Sequence, residues 1–89
     1  MLQKTITITN SRGLHARAAT RLVKSASQFE CDISIQFDGK MADCKSVMSI
    51  LLLAATVGSE IELITDGKDE QAALTEIQQL FANKFEEEN

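Results

Sequence analysis

The sequence predicts an α+β fold, a two-layer open-faced sandwich whose four-stranded antiparallel sheet carries three helices on one face, in the order β-α-β-β-α-β-α. Three segments alternate apolar and polar residues, as strands with one buried face do. The two-residue turn Asp38-Gly39 adds a hairpin partner to the second of them. Two further segments repeat apolar residues at helical spacing, and a third, short and very apolar, follows a capping serine. Hairpins interrupted by single helices favour this layered arrangement.

The first strand is predicted over Thr5 to Thr9, where threonine alternates with Ile6 and Ile8. The segment Asn10 to Gly13 interrupts this alternation. A helix is then predicted over Ala16 to Ala26, with a basic outer face. Its inward positions are Ala19, Leu22, Val23 and Ala26.

The second and third strands are predicted to form a hairpin around the turn named above. Apolar residues alternate with polar ones from Cys31 to Phe37. A two-residue turn fixes the register, so Ile35 should lie opposite Ala42. In that register Cys31 lies diagonal to Cys44, and a disulfide between them would require the strands to shift. We expect two buried free thiols, since neither cysteine belongs to a cluster with metal-ligand spacing.

A short helix is predicted over Val47 to Leu53, with Ser46 as its N-cap. Ile50 and Leu53 should face the core. The other apolar side chains of this helix should form an exposed patch suited to protein partners, although burial in the core is an alternative. The patch consists of Val47, Met48 and Leu51.

The fourth strand is predicted over Glu60 to Thr65, with Ile61 and Leu63 facing inward. The turn Asp66-Gly67 then leads into a final helix over Glu70 to Lys84. Its buried stripe should consist of Ala73, Ile77, Leu80, Phe81 and Lys84.

Length and composition indicate a single globular domain over residues 1–89. The 44% of apolar residues is too high for a disordered chain, and 89 residues can bury one core but not two. The longest apolar run, Ile50 to Ala55, is far shorter than the ~20 residues that cross a bilayer, and the N-terminus lacks the pattern of a signal peptide. We therefore expect a cytoplasmic protein without membrane insertion.

Charge is distributed unevenly along the chain. Residues 1–29 contain five basic and no acidic side chains, whereas the rest contains four basic and thirteen acidic ones. The net charge of −4 argues against nucleic-acid binding, but the basic side of the first helix suits one small anion or an acidic protein surface. An RNA-recognition module would need aromatic residues on its strands, and among the four phenylalanines only Phe37 lies on a predicted strand.

The single histidine, His15, stands at the predicted start of the first helix. Unpaired backbone N–H groups at a helix N-terminus attract anions, and the guanidinium of Arg17, two residues later, can bind phosphate oxygens as a fork. This arrangement would hold a phosphorylated imidazole. Spacing alone does not require this chemistry, and by itself it favours a solvated capping histidine that precedes a basic helix.

The run Gly13-Leu14-His15-Ala16-Arg17-Ala18-Ala19 resembles the signature Gly-Leu-His-Ala-Arg-Pro-Ala of the histidine-containing phosphocarrier (HPr) family of the bacterial phosphotransferase system. The resemblance covers the whole chain. It includes the turn Asp38-Gly39-Lys40, the segment Lys45-Ser46-Val47-Met48, Gly58 and the turn Asp66-Gly67.

The resemblance implies a stoichiometric phosphoryl carrier rather than an enzyme, with no cofactor and no metal. His15 would accept a phosphoryl group at Nδ1 from an enzyme I-type protein and pass it to an enzyme IIA-type protein. Arg17 would stabilise that group together with the backbone amides of Ala16 and Arg17. Ser46 resembles a serine that a regulatory kinase phosphorylates in some bacteria, although its role as an N-cap needs no kinase.

We expect a monomer whose partners dock on the basic side of the first helix and on the apolar patch beside it. The expected docking residues are Thr20, Arg21, Lys24, Val47, Met48 and Leu51.

One residue departs from the signature, because Ala18 replaces its proline; this change should loosen the first helical turn without removing a reactive atom. The opening Ile8-Thr9-Asn10, the apolar run over residues 47–53 and the ending Leu80 to Phe85 look more like the nitrogen-related paralogue (NPr) than the sugar-transport branch. The alternatives are a sugar-branch carrier and a regulatory binding domain that never receives a phosphoryl group.

Overall fold

A computed structural model describes residues 1–86 and confirms the predicted fold class and element order. The strands are β1 (Leu2–Thr7), β2 (Asp32–Phe37), β3 (Lys40–Asp43) and β4 (Glu60–Asp66). The helices are α1 (Ala16–Ala26), α2 (Val47–Leu52) and α3 (Glu70–Ala82), and a single 3-10 turn follows at Lys84–Glu86. Each helix within residues 1–86 falls short of the length and apolarity that a membrane span requires.

All strand pairs are antiparallel, in the spatial order β1-β4-β2-β3. The register of the hairpin is the predicted one, with Ile35 opposite Ala42. Both turn residues, Asp38 (φ 52°) and Gly39 (φ 77°), have positive φ, as the tight two-residue turn of a hairpin requires. The turn chemistry therefore fixes which side chains of β2 and β3 face the core.

The first strand lies earlier in the chain than predicted, because β1 ends at Thr7. Ile8 nevertheless remains buried. Its N–H donates to the carbonyl of Ser59 at 2.9 Å, and its carbonyl accepts the N–H of Gly58 at 2.8 Å. These two hydrogen bonds continue the pairing toward the loop that precedes α1.

The core lies between the sheet and the helices. Inward side chains of the strands alternate with outward ones, and this alternation is clearest in the two central strands, β2 and β4. The edge strands β1 and β3 bury one side chain each, Ile6 and Ala42. The outward positions of the four described strands form an open acidic face, and none of these strand positions is a Lys or Arg. Its carboxylates belong to Asp32, Asp43, Glu60, Glu62 and Asp66.

The helix α1 has the predicted bounds, and its buried face is wider than predicted. Ala19, Leu22 and Ala26 are fully buried, and Val23 packs against the core. Ala18 is fully buried as well, although the predicted stripe did not include it. The first turn of α1 is therefore packed against the body of the protein.

Cys31 and Cys44 are buried free thiols, as predicted. The N–H of Cys44 donates to the carbonyl of Ile33 at 2.9 Å, which extends the pairing of β2 and β3 in the predicted register. Burial raises the pKa of Cys31 to about 11, and burial also raises the pKa of Cys44. Both thiols are therefore protonated and unreactive at neutral pH.

The last helix, α3, ends at Ala82 rather than at Lys84. Lys84 is exposed, so its prediction as a buried residue is wrong. Its backbone has a φ of 53°. Left-handed backbone at Lys84 and Phe85 reverses the chain. Phe85 thereby returns to the core, where its ring is fully buried and meets the ring of Phe81 edge to face, with centroids 4.8 Å apart. Of the predicted stripe, Ala73, Ile77 and Phe81 are buried and Leu80 is half-buried.

Asp69, the residue before α3, joins that helix to the start of β2. Its carboxylate accepts the backbone N–H groups of Glu30 and Cys31, each at 2.9 Å, and does not cap α3. Hydrogen bonding, first from Glu30, holds the pKa of Asp69 below its usual value. Gly67 in the preceding turn is required by packing, because a Cβ there would lie 2.7 Å from the Cβ of Cys31.

Candidate functional site

The loop before α1 is braced at Gly13. Its φ of +63° is one that glycine adopts readily, and a Cβ there would lie 2.7 Å from the carbonyl oxygen of Ala55 and 2.8 Å from the Cα of Thr56. The buried amide of Asn10 donates to the Gly13 carbonyl at 2.7 Å, and the N–H of Leu14 donates to Ala55 at 3.1 Å. The chain therefore enters α1 from a fixed position.

His15 is the N-cap of α1, with extended backbone angles (φ −83°, ψ −178°). Its Nδ1 accepts the backbone N–H of Arg17 at 3.3 Å, and its carbonyl accepts the N–H of Ala19 at 2.8 Å. A neutral imidazole that accepts at Nδ1 carries its proton on Nε2. The half-exposed ring thus presents the Nδ1 lone pair at the N-terminus of the helix.

The surroundings of His15 favour an anion. The first helical N–H groups have no partner within the helix, and the partial positive charge of the helix end adds to them. The first turn of α1 contains no acidic side chain, and the guanidinium-bearing side chain of Arg17 is exposed. A phosphoryl group on Nδ1 would therefore meet backbone donors and one cation and no carboxylate from this turn.

Ala18 occupies the third position of the helix, where its N–H precedes the first hydrogen-bonded turn. A proline at this position would cost no helical hydrogen bond. Because the side chain of Ala18 is fully buried, the larger ring of a proline at this position would have to pack against the core.

The expected docking residues of α1 differ in their environments. Thr20 is exposed, and its hydroxyl donates to the carbonyl of Ala16 at 2.8 Å. Lys24 is exposed. Arg21 is half-buried, and its guanidinium donates to the carbonyl of Phe85, so it is not a purely solvent-facing cation.

The apolar patch on α2 differs from the predicted one. Met48 is 64% exposed, as expected. Val47 and Leu51 are half-buried and pack against the core, which corrects their prediction as exposed residues. Leu52 is 69% exposed, and the prediction missed it. Met48 and Leu52 are four residues apart, the spacing that places two side chains on one face of a helix, and this spacing was the available signal.

Ser46 caps α2, as predicted, since its Oγ accepts the N–H of Ser49 at 3.3 Å. Its side chain is half-buried. The capping role accounts for a serine at this position, and phosphorylation of Ser46 stays a prediction.

Comparisons with known proteins agree with this geometry. A family model described as the PTS HPr component phosphorylation site matches residues 2–83. The phosphocarrier protein HPr of Treponema pallidum is 46% identical over 88 residues, which cover 99% of this chain and 100% of that protein. The phosphocarrier protein NPr of Shewanella violacea is 43% identical over 86 residues, with 97% and 94% covered. A crystal structure of HPr from Thermoanaerobacter tengcongensis superposes with a TM-score of 0.95 at 38% identity, over 100% of both chains.

Proposed function

The chain belongs to the HPr family of phosphocarrier proteins, and on this premise we propose that His15 receives a phosphoryl group on Nδ1 and passes it on. The observation that carries the proposal is the contact of Nδ1 with the N–H of Arg17 at the start of α1. The lone pair of Nδ1 already lies beside the donors that a phosphoryl oxygen would use.

In the transfer, the Nδ1 lone pair of His15 forms the new N–P bond while the bond from phosphorus to the donor protein breaks. The donor atom keeps that electron pair, and the proton on Nε2 of His15 stays in place. The N–H of Arg17 changes its acceptor from Nδ1 to a phosphoryl oxygen. Phosphoryl transfer depends mainly on positioning and on stabilisation of the charged oxygens. Backbone N–H groups at the end of α1 and the guanidinium of Arg17 supply both.

We assign the protein a stoichiometric role within a relay. The half-exposed ring of His15 leaves a phosphoryl group open to an incoming acceptor, whereas a closed site would trap it. No protein base is needed, because the nucleophilic nitrogen carries no proton before the attack. The donor would be an enzyme I-type protein and the acceptor an enzyme IIA-type protein.

Partners would dock on one surface around His15, here called the docking face. Its exposed members combine cationic, polar and apolar side chains, which suits an acidic-rimmed partner surface. They are Arg17, Thr20, Lys24, Met48 and Leu52, with Val47 and Leu51 as its half-buried base.

We place the carrier in the nitrogen-related branch. The support comes from the sequence around Ile8-Thr9-Asn10, from the apolar run of α2 and from the ending Leu80 to Phe85. The branches predict different acceptors. Phosphorylated protein should transfer to a nitrogen-type enzyme IIA at least about tenfold faster than to a sugar-type one, and the reverse preference would favour the sugar branch.

The central test is labelling with phosphoenolpyruvate and a purified enzyme I-type protein. The chain should gain one phosphate that is labile in acid and stable in base, as a phosphohistidine is. His15→Ala should gain none. An equal label on the variant would show that another residue carries the phosphate, and absence of label on the unchanged protein would favour the regulatory binding domain.

A further inference from the structure

Arg21 connects α1 to the end of the described chain. It lies one helical turn beyond Arg17, and its guanidinium donates to the carbonyl of Phe85. The ring of Phe85 is fully buried against Phe81. The segment over residues 84–86, here called the C-terminal turn, is therefore held at two points, one apolar and one polar.

The backbone of the C-terminal turn is unfavourable in itself. Lys84 and Phe85 have φ values of 53° and 56°, in the left-handed region where a Cβ crowds the following carbonyl. Such a conformation persists only where surrounding contacts enforce it. Burial of the Phe85 ring and the hydrogen bond from Arg21 are the contacts that enforce it here.

A groove of about 250 Å³ between α1 and α3 leads to Arg21. Its α1 wall includes Lys24 and Gln28, and its α3 wall includes Glu76 and Leu80. Among residues 1–86, no ion pair joins Arg21 or Lys24 to Glu76. The α1 wall thus offers two cations to an entering acidic group, while Glu76 disfavours entry along α3.

We propose that an acidic side chain of a docked protein partner enters this groove, takes Arg21 from the carbonyl of Phe85 and releases the C-terminal turn. A carboxylate is the stronger acceptor, because it can take two parallel N–H bonds from one guanidinium and adds the attraction of opposite charges, whereas the carbonyl is neutral. Once Arg21 has moved, one of these two contacts is lost, and within residues 1–86 the burial of the Phe85 ring is the one that remains. The proposal rests on the proposed function in one respect, that partners dock on α1.

The test is hydrogen exchange of the backbone amides of the C-terminal turn, measured on the full chain alone and saturated with the enzyme I-type protein in the absence of phosphoenolpyruvate. Docking should speed exchange at Phe85 about tenfold. In free Arg21→Gln, exchange should already be fast, and docking should not change it further. Lys24→Gln removes one charge from the same wall but leaves the Arg21 contact, so its free-state exchange should match the unchanged protein.

Unchanged or slower exchange at Phe85 on docking would overturn the proposal. So would slow exchange in free Arg21→Gln, because Arg21 would then not hold the turn. Arg21→Met keeps an unbranched stem but has no N–H donor for the Phe85 carbonyl, and it serves in place of the glutamine variant if that variant does not fold. Failure of the donor protein to bind would count against the proposed function. The same exchange experiment with a hexaglutamate peptide would then test whether an acidic group in the groove releases the C-terminal turn. Faster exchange at Phe85 would support the release, and unchanged exchange would overturn it.

Discussion

Nδ1 of His15 accepts the backbone N–H of Arg17 at 3.3 Å, so Arg17 contributes to the site through its main chain as well as its side chain. The two contributions can be separated by mutation. A change of side chain leaves the N–H in place, and the imidazole keeps its orientation. The guanidinium then becomes the one variable.

Arg17→Ala should slow phosphoryl transfer to and from His15 by about tenfold to a hundredfold, because one cationic donor to the phosphoryl oxygens is lost. Stability should change little, since the side chain is exposed. Rapid-quench transfer assays and urea unfolding measure the two effects. Lys68→Ala removes the same charge from an exposed turn remote in sequence and should leave the rate unchanged; an equal loss there would point to net charge as the cause.

Met48→Glu should weaken binding of both the donor and the acceptor protein by about tenfold or more, because a carboxylate replaces an apolar contact within the docking face. Leu52→Glu should have a similar effect. Met41→Glu is the matched control, since Met41 is 61% exposed on the open sheet face. Isothermal titration calorimetry compares the three variants, and an equal loss for Met41→Glu would contradict the assigned surface.

Asp69 should make the free energy of unfolding decrease at low pH. Its pKa is held below the usual value, first by the N–H of Glu30, so its contribution is present above the normal carboxyl pKa and disappears as pH falls through the lowered one. Asp69→Asn should be less stable than the unchanged protein at neutral pH, because an amide N–H would face the backbone donors. Urea unfolding between about pH 7 and pH 2 should show the two proteins converging.

Asp38→Asn is the control for that series, because Asp38 is an exposed carboxylate in the hairpin turn. Its stability should follow the unchanged protein at every pH. A constant difference between Asp69→Asn and the unchanged protein down to low pH would show that the carboxylate charge is not what matters.

Ala18→Pro should raise the free energy of unfolding by up to about 1 kcal/mol through the unfolded state, and should leave the phosphorylation rate of His15 within a few-fold. The position lies in the first helical turn, and the donors assigned to the phosphoryl group are the N–H groups of Ala16 and Arg17 and the guanidinium of Arg17, none of which this change removes. Chemical denaturation and a transfer assay on the same pair of proteins test both parts. A large rise in the phosphorylation rate would instead mean that Ala18 makes the site of this protein less rigid than proline does.

The sequence was sufficient for elements whose local chemistry determines their geometry. The Asp38-Gly39 turn fixed the hairpin register, and His15 and Ser46 cap the helices that they were predicted to cap. The reversal after α3 could not be predicted in this way. Lys84 and Phe85 adopt left-handed backbone without a glycine or asparagine at either position, and long-range burial of the Phe85 ring decides the outcome.

The candidate site was predictable as a set of residues and less so as a surface. His15 and Arg17 are two residues apart in the chain, so their contact follows from the start of one helix. The exposure of Leu52 and the burial of Leu51 depend on how α2 is rotated against the core. A short helix that is apolar on most sides gives little information about that rotation.

The open acidic face of the sheet has a consequence for the approach of a partner. With cations on α1 and carboxylates on the opposite layer, the molecule is electrically polarised. A negatively charged partner exerts a torque that turns the His15 side forward before contact, and an approach from the sheet side is repelled. A relay protein must join and leave two partners in every cycle. Selection of orientation during the encounter lets it do so quickly with modest affinity, at a rate that falls as salt screens the field.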